Sequence, residues 1–363
     1  MNSLVPSFIE NLAPYIPGKP IEETEREYGV KNIAKLASNE NPLGPSPKAL
    51  EAMSRSLGKL HLYPDASAFY LRHDLAAFLD VRPEELVFGN GSNELIELLI
   101  RTFVHGDDEV LLSEHTFPIY KISAQAVGRR FVEVPMKDRH YDLEAMADAV
   151  SARTRMVFIA NPDNPTGTYQ TEEAVVRFLE RLPDRTLVVL DEAYYEYVVA
   201  PDYPNSLALR KRFPNLIVLR TFSKAYGLAG LRVGYGIARP EIVEYLNRTR
   251  APFNVSTIAQ IAARAALQDQ EHVRRTAELN RKGLAFLGKE LPALGLSFTP
   301  SQANFYLVDF HRPIGPIFEA LLREGVIVRP MAASGFPTSA RINTGTEEEN
   351  EKLLGALRRV LAA

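Results

Sequence analysis

Lys224 stands in Thr221-Phe222-Ser223-Lys224-Ala225-Tyr226-Gly227-Leu228-Ala229-Gly230-Leu231-Arg232, directly after an apolar, β-prone run at 216–220. A lysine at a strand end among small and apolar residues is a candidate Schiff-base amine, because desolvation favours its neutral, nucleophilic form. Arg232 lies further along the same segment, and Thr221 and Ser223 flank the amine. Two hydroxyls and one guanidinium beside an amine can bind a phosphate next to an aldehyde. A solvated lysine on a surface loop is the competing reading of this spacing. Asp191 closes a second apolar run, in Leu190-Asp191-Glu192-Ala193-Tyr194. A carboxylate at the carboxyl end of a buried strand sits where open α/β sheets bind ligands. It can pair with a protonated ring nitrogen, although an Asp that caps the next segment fits the residue alone equally well. Adjacent side chains on a strand point to opposite faces, so Asp191 and Glu192 make a poor metal pair.

Two further strand ends carry polar signals. Asn161-Pro162-Asp163-Asn164-Pro165-Thr166-Gly167 is first of all turn chemistry. Such a turn would also hold Asn164 rigidly, as an amide donor fit for a phenolate oxygen. Gly89-Asn90-Gly91-Ser92-Asn93-Glu94 lies between a strand pattern and a helix pattern, where backbone amides make an anion site. Glu94 stands where the dinucleotide fingerprint has its last glycine, so a single phosphate is the better ligand.

The elements that would position these groups follow from hydrophobic periodicity. Short apolar runs at 86–89, 109–112, 131–134, 156–160, 186–190 and 216–220 read as buried strands. Helical patterns at 92–103, 142–150 and 171–182 lie between them, with Ser92, Asp142 and Thr171 as N-cap candidates. Such alternation predicts an α/β fold with a mostly parallel sheet covered on both faces. After about residue 250 the pattern changes. A long helical stretch runs over 255–294 with a break at Asp269, strands follow at 304–309, 326–329 and 341–343, and a helix spans 347–361. The division is an arm over 1–45 that packs on something else, a large domain over 46–254 and a smaller α+β domain over 255–363.

Composition bounds the function. The 363 residues suggest about two domains, and 46% apolar with 24% charged residues is a globular balance. Net charge is −3, so no bulk positive field favours nucleic acid or an anionic membrane. Cysteine is absent, which removes disulfides, thiolate metal sites and cysteine nucleophiles and suits a reducing cytoplasm. The seven histidines show no HxxxH pair, and no metal site is expected. No signal-peptide pattern opens the chain, and no apolar run approaches the roughly 18–20 residues of a membrane span.

Together the four strand ends offer a lysine, an aspartate, an asparagine and a phosphate nest, the inventory of an electron-sink cofactor site. The segments around Lys224, Asp191 and Asn164 resemble, in order, those of the fold-type I pyridoxal phosphate-dependent aminotransferases. Pro14-Tyr15-Ile16-Pro17-Gly18-Lys19-Pro20, Leu36-Ala37-Ser38-Asn39-Glu40-Asn41-Pro42-Leu43-Gly44 and Tyr63-Pro64-Asp65 resemble the histidinol-phosphate branch of that family. The resemblance extends over nearly the whole chain. It implies a large domain with a mostly parallel seven-stranded sheet, a smaller C-terminal domain, and pyridoxal 5′-phosphate as cofactor.

By the same resemblance Lys224 carries the cofactor and later shuttles a proton. Asp191 pairs with the pyridine nitrogen, and Asn164 and Tyr194 reach the 3′ oxygen. Gly91, Ser92, Asn93, Thr221, Ser223 and Arg232 form the phosphate site. Phe117 stacks on the ring, in His115-Thr116-Phe117 where the branch more often has Pro-Thr-Tyr; Asp163 stands where Asn is common. Tyr15, Asn41, Arg329 and Arg341 are implied substrate contacts, Arg341 because its planar fork takes a carboxylate or a phosphate. Tyr63 is implied to reach the cofactor phosphate of a neighbouring subunit, which makes a homodimer with shared active sites. The implied reaction is transamination between histidinol phosphate and 2-oxoglutarate in the cytoplasm. The rivals are an aromatic amino-acid aminotransferase, a phosphothreonine decarboxylase-like enzyme and, in a different class, a cofactor-binding regulator without turnover.

Overall fold

The computed structural model describes residues 3–362. Its strands are β1 Ala34–Lys35, β2 Leu86–Gly89, β3 Glu109–Ser113, β4 Arg130–Val134, β5 Thr154–Ala160, β6 Leu187–Asp191, β7 Leu216–Thr221, β8 Gly234–Ile237, β9 Ser297–Thr299, β10 Phe305–Asp309, β11 Val326–Ile327, β12 Arg329–Pro330 and β13 Ser339–Asn343. The central sheet has the order β2-β8-β7-β6-β5-β3-β4. β8 pairs antiparallel with β2 and β7, and all the other neighbours are parallel. β3, β6 and β7 are buried along their whole length. That is why they read as unbroken aliphatic runs rather than alternations. The helix Ser92–Phe103 lays Leu95, Ile96, Leu98, Leu99 and Ile100 into this core, and Glu172–Arg181 adds Val175, Phe178 and Leu179.

The six strands expected from apolar runs are present, the one at 86–89 with the same bounds and the other five with ends shifted by at most two residues. The pattern does not announce β8, Gly234-Tyr235-Gly236-Ile237, because its glycines read as loop. They are required by crowding: a Cβ on Gly234 would lie 2.5 Å from the amide of Ser92. Asp142 and Thr171 cap their helices, accepting from the amides of Ala145 and Ala174 at 3.0 and 3.2 Å. Ser92 does not cap; Gly91, at φ +79°, holds that position and Ser92 opens the helix.

The C-terminal sheet has the order β12-β13-β10-β9, antiparallel throughout. The helices Gln270–Ala293, Ile314–Arg323 and Glu347–Ala362 contribute to its apolar cluster, which includes Leu287, Leu321, Leu353 and Leu357. The expected break at Asp269 separates Thr257–Leu267 from Gln270–Ala293, with Asp269 as the N-cap. The alanines of Thr257–Leu267 are buried with Leu71, Leu75, Phe88 and Tyr235. A boundary at 254/255 therefore cuts through one apolar cluster. The single strand expected over 326–329 is two strands in two sheets. The arm reaches the C-terminal part, where β1 pairs in parallel with β11 and Leu36 donates to the Ile327 carbonyl at 2.8 Å.

One buried ion pair ties β7 to the residue after β6. Arg220 Nε and Nη2 each lie 2.8 Å from Glu192 Oε2, and the Tyr195 ring centroid sits 3.5 Å from the guanidinium carbon. Burial pushes the Glu192 carboxyl up, while Arg220 and Ser206 pull it down. Glu192→Gln keeps the shape and removes the charge that balances Arg220. It should destabilise the fold by about 3–5 kcal/mol, the cost of breaking a buried pair from one side. A fall in the urea midpoint checks this; an unchanged midpoint would show that the pair contributes nothing net.

Candidate active site

The carboxyl ends of β5, β6 and β7 open into a cavity of about 270 Å³, the position where parallel sheets bind ligands. The arm and the C-terminal sheet close it, through residues such as Tyr15, Asn39, Arg329 and Arg341. Lys224 lies in the loop after β7, with its Nζ donating to the Ser38 carbonyl at 3.4 Å and 5.8 Å from the centre of the Tyr194 ring. Burial pushes its amine down to about 8, helped by the cations Arg341 and Arg232 and opposed by Glu40 and Asp191. The amine reacts when neutral. The cofactor-free chain should therefore capture an added pyridoxal-type aldehyde at a rate that levels off above pH about 8, whereas an ordinary lysine keeps gaining towards pH 10. Borohydride trapping across a pH series measures this.

Asp191 is the last residue of β6. Tyr120 donates to its Oδ2 at 2.9 Å, while Oδ1 is buried with no hydrogen-bond partner among the described residues. Burial pushes this carboxyl up to about 6, against the pull of the Tyr120 hydroxyl. Asn164 follows β5 and accepts from Arg341 Nη1 at 2.6 Å. Arg341 Nη2 donates to the Ala37 carbonyl at 2.7 Å, and Nε is buried with no hydrogen-bond partner among the described residues. Arg329 is the cross-strand neighbour of Arg341 on β12 and β13, so two guanidiniums arise side by side. Arg329 donates to the Ile16 carbonyl at 2.5 Å, and the Tyr15 ring lies 5.8 Å away. The Tyr194 hydroxyl accepts from Asn39 Nδ2 at 2.7 Å.

The phosphate-type nest also assembles. A Cβ on Gly91 would lie 2.4 Å from Arg232 Nη2, so only glycine lets the guanidinium approach this helix start. Arg232 Nη1 lies 3.5 Å from Ser223 Oγ, and the Ser223 amide donates to Thr221 Oγ1 at 3.1 Å. Ser92, Asn93, Thr221, Ser223 and Phe117 all line the cavity. The substitution at Asp163 is accommodated away from it, since Thr116 and Thr166 hydroxyls donate to that buried carboxylate at 2.6 and 2.8 Å.

Asn41 and Tyr63 are not brought to the cavity, and Gly91 meets it only through its contact with Arg232. Asn41 spends its amide on the Ala225 carbonyl and Thr276 Oγ1, both at 3.0 Å, and accepts from the Leu43 amide. It braces the loop that carries Lys224, and Asn39, two residues earlier, is the one that lines the cavity. Tyr63 is 83% exposed and stacks on Phe253 with centroids 4.9 Å apart. Tyr120, Asn39, Ser38 and Glu40 line the cavity without having been singled out. Asn39 had a signal in its Ser-Asn-Glu-Asn segment; Tyr120, within an ordinary amphipathic helix, had none.

The model of the family "Aminotransferase class I and II" matches residues 31–357. The chain is 58% identical over 362 residues to a histidinol-phosphate aminotransferase of Anaeromyxobacter sp. (strain Fw109-5), covering 99% of this chain and all of that protein. The chain belongs to the class I and II aminotransferase family. A Moorella thermoacetica histidinol-phosphate aminotransferase is 49% identical, over 98% of this chain and 92% of that protein. Among solved structures, histidinol-phosphate aminotransferase from Sinorhizobium meliloti in complex with pyridoxal-5′-phosphate superposes with a TM-score of 0.92 at 32% identity. The coverage is 100% of this chain and 98% of that one.

In this aminotransferase the open valences suit a phosphorylated pyridine aldehyde. Asp191 Oδ1 offers a buried anionic acceptor, Lys224 an amine whose pKa burial lowers to about 8, and the Gly91–Arg232 contact a cradle for a phosphate. Among the described residues no helix is long and apolar enough to cross a membrane.

Proposed function

We propose that this chain transfers the amino group of L-histidinol phosphate to 2-oxoglutarate, giving imidazole acetol phosphate and L-glutamate, with pyridoxal 5′-phosphate as its cofactor. The observation that carries this reading is the meeting of Lys224, Asp191 and the Arg329–Arg341 pair around one cavity. Two guanidiniums exceed what a single α-carboxylate needs and suit a phosphate dianion. The same pair serves the carboxylates of 2-oxoglutarate in the second half of a ping-pong cycle.

Pyridoxal phosphate, when bound, supplies the aldehyde that accepts the amine and the electron-withdrawing ring that stabilises negative charge at the adjacent carbon. The protein directs that chemistry. Lys224 would hold the aldehyde end of the cofactor, and its neutral amine would be the base for the proton on substrate Cα. Asp191 holds a proton on the ring nitrogen. Asn164 and Tyr194 would donate to the cofactor's phenolate oxygen, and Phe117 would pack on its ring. The helix start at Ser92 and Asn93, with Thr221, Ser223 and Arg232, binds the phosphate. Arg341, Arg329 and Tyr15 bind the substrate anion.

The reading includes a homodimer in the cytoplasm. Leu57, Leu60, Leu62, Tyr63, Phe69, Tyr70 and Phe253 are exposed within neighbouring segments, more apolar surface than scattered side chains account for. Covering it with a second copy would bring Tyr63 to the other subunit's phosphate site.

The test is a half-reaction followed in the visible spectrum. Cofactor-loaded protein is mixed with histidinol phosphate or with phenylalanine, without keto acid. Fast bleaching of the cofactor band by histidinol phosphate alone is the expected result. Equal or faster bleaching by phenylalanine would transfer the chain to aromatic amino-acid transamination.

A further inference from the structure

Tyr120 is a polar side chain of this site that the proposed chemistry does not use. It lies in the first turn of the helix Ile119–Ala126 and is fully buried. Its ring stacks on Phe158 of β5, with centroids 4.7 Å apart and planes 16° from parallel. Phe117 meets it edge-on at 5.6 Å. Two aromatic contacts therefore fix the ring, and the ring fixes the hydroxyl, which donates to Asp191 Oδ2 at 2.9 Å. Burial and the neighbouring carboxylate push the phenol well above its ordinary pKa, so it remains a donor.

Asp191 has two oxygens and one firm side-chain hydrogen bond. A carboxylate at a strand end can rotate about its Cβ–Cγ bond, and rotation would exchange the oxygen facing the cavity. A donor on one oxygen sets that angle and favours the anion.

We propose that Tyr120 is a positioning residue for Asp191: its hydroxyl pins Oδ2 and so fixes the angle at which the anionic carboxylate meets the cavity. The same ring touches Phe117, so the group that covers the cofactor face and the group that meets its ring nitrogen share one rigid support. This inference rests on the reading of Asp191 as the ring-nitrogen partner.

The experiment compares two ligands of the full-length chain by equilibrium dialysis: pyridoxal phosphate and its 1-deaza analogue, which has carbon in place of the ring nitrogen. Tyr120→Phe removes the hydroxyl and keeps the aromatic packing. It should weaken pyridoxal phosphate binding about tenfold, the factor that one hydrogen bond to a charged group sustains. Binding of the deaza analogue should stay within about twofold, since that ligand has no nitrogen for Asp191 to meet. Equal loss on both ligands, or loss on neither, overturns the proposal. In an Asp191→Asn background, Tyr120→Phe should have no further selective effect, as expected of a residue that acts through its neighbour. If Asp191→Asn itself fails to distinguish the ligands, the reading of Asp191 is what fails. If it distinguishes them and Tyr120→Phe does not, the positioning role alone falls. Tyr120→Met, which also lacks the hydroxyl, gives the same comparison should the phenylalanine variant fold poorly.

Discussion

Lys224→Ala is expected to cut steady-state transamination by about 10⁴-fold or more, the upper range for losing a positioned general base. Glu40, a second carboxylate on the cavity, is paired with Lys35 at 2.9 Å, and no other group among the described cavity residues is poised to replace Lys224. The Tyr194 hydroxyl is committed to Asn39 and is pushed up to about 12 by burial. Asp191 is held by Tyr120, and Asn39 and Asn164 are amides. Arg232 and Arg341 remain cationic and accept no proton. The loss should not come from unfolding. Burial lowers the Lys224 pKa, so the folded state disfavours its cation, and removing that cation relieves a cost. A coupled assay for glutamate formation, run beside a thermal melt, checks both statements. The variant should still bind pyridoxal phosphate through the phosphate nest, without a borohydride-trappable bond. Turnover within tenfold of the parent chain would remove Lys224 from the mechanism.

What made this site legible in the sequence was its placement at strand ends. Asp191, Thr221 and the turn after Ala160 close apolar runs whose carboxyl ends a parallel sheet must bring together. The groups that stayed hidden depend on tertiary contact instead. Tyr120 meets Asp191 across 71 positions of chain, and nothing in Ile119-Tyr120-Lys121 distinguishes it from a core tyrosine. Arg329 and Arg341 were each visible, but their adjacency comes from the β12–β13 register. Asn41 and Asn39 lie two apart in one loop, and sequence did not reveal which would face inward. The left-handed φ of +55° at Asn39 turns the chain there and sends its side chain to Tyr194. β8 was hidden for a related reason: Gly234 answers crowding by the helix start at Ser92 and Gly236 crowding by Val87 and Leu219 of the flanking strands, neighbours fixed only by the sheet.

Asp191→Asn is the second large effect, about 10²–10³-fold in kcat, the scale of removing one preorganised electrostatic group from a buried site. The substitution preserves size, and an amide oxygen can still accept from Tyr120. The sign of the interaction at the other atom reverses. Where Oδ1 offers an acceptor, the amide nitrogen offers a donor, which favours an unprotonated ring nitrogen and weakens the electron sink. Burial, against the pull of the Tyr120 hydroxyl, pushes the Asp191 carboxyl up to about 6, and a ring cation beside it would pull it back down. An asparagine cannot take part in that exchange. KM for histidinol phosphate should change little, because Arg341 and Arg329 are on different strands and keep their geometry. The kinetic split therefore separates this variant from one at the anion site, which should raise KM first. A kcat within tenfold of the parent would mean that ring-nitrogen charge does not limit turnover here, and that Asp191 serves packing.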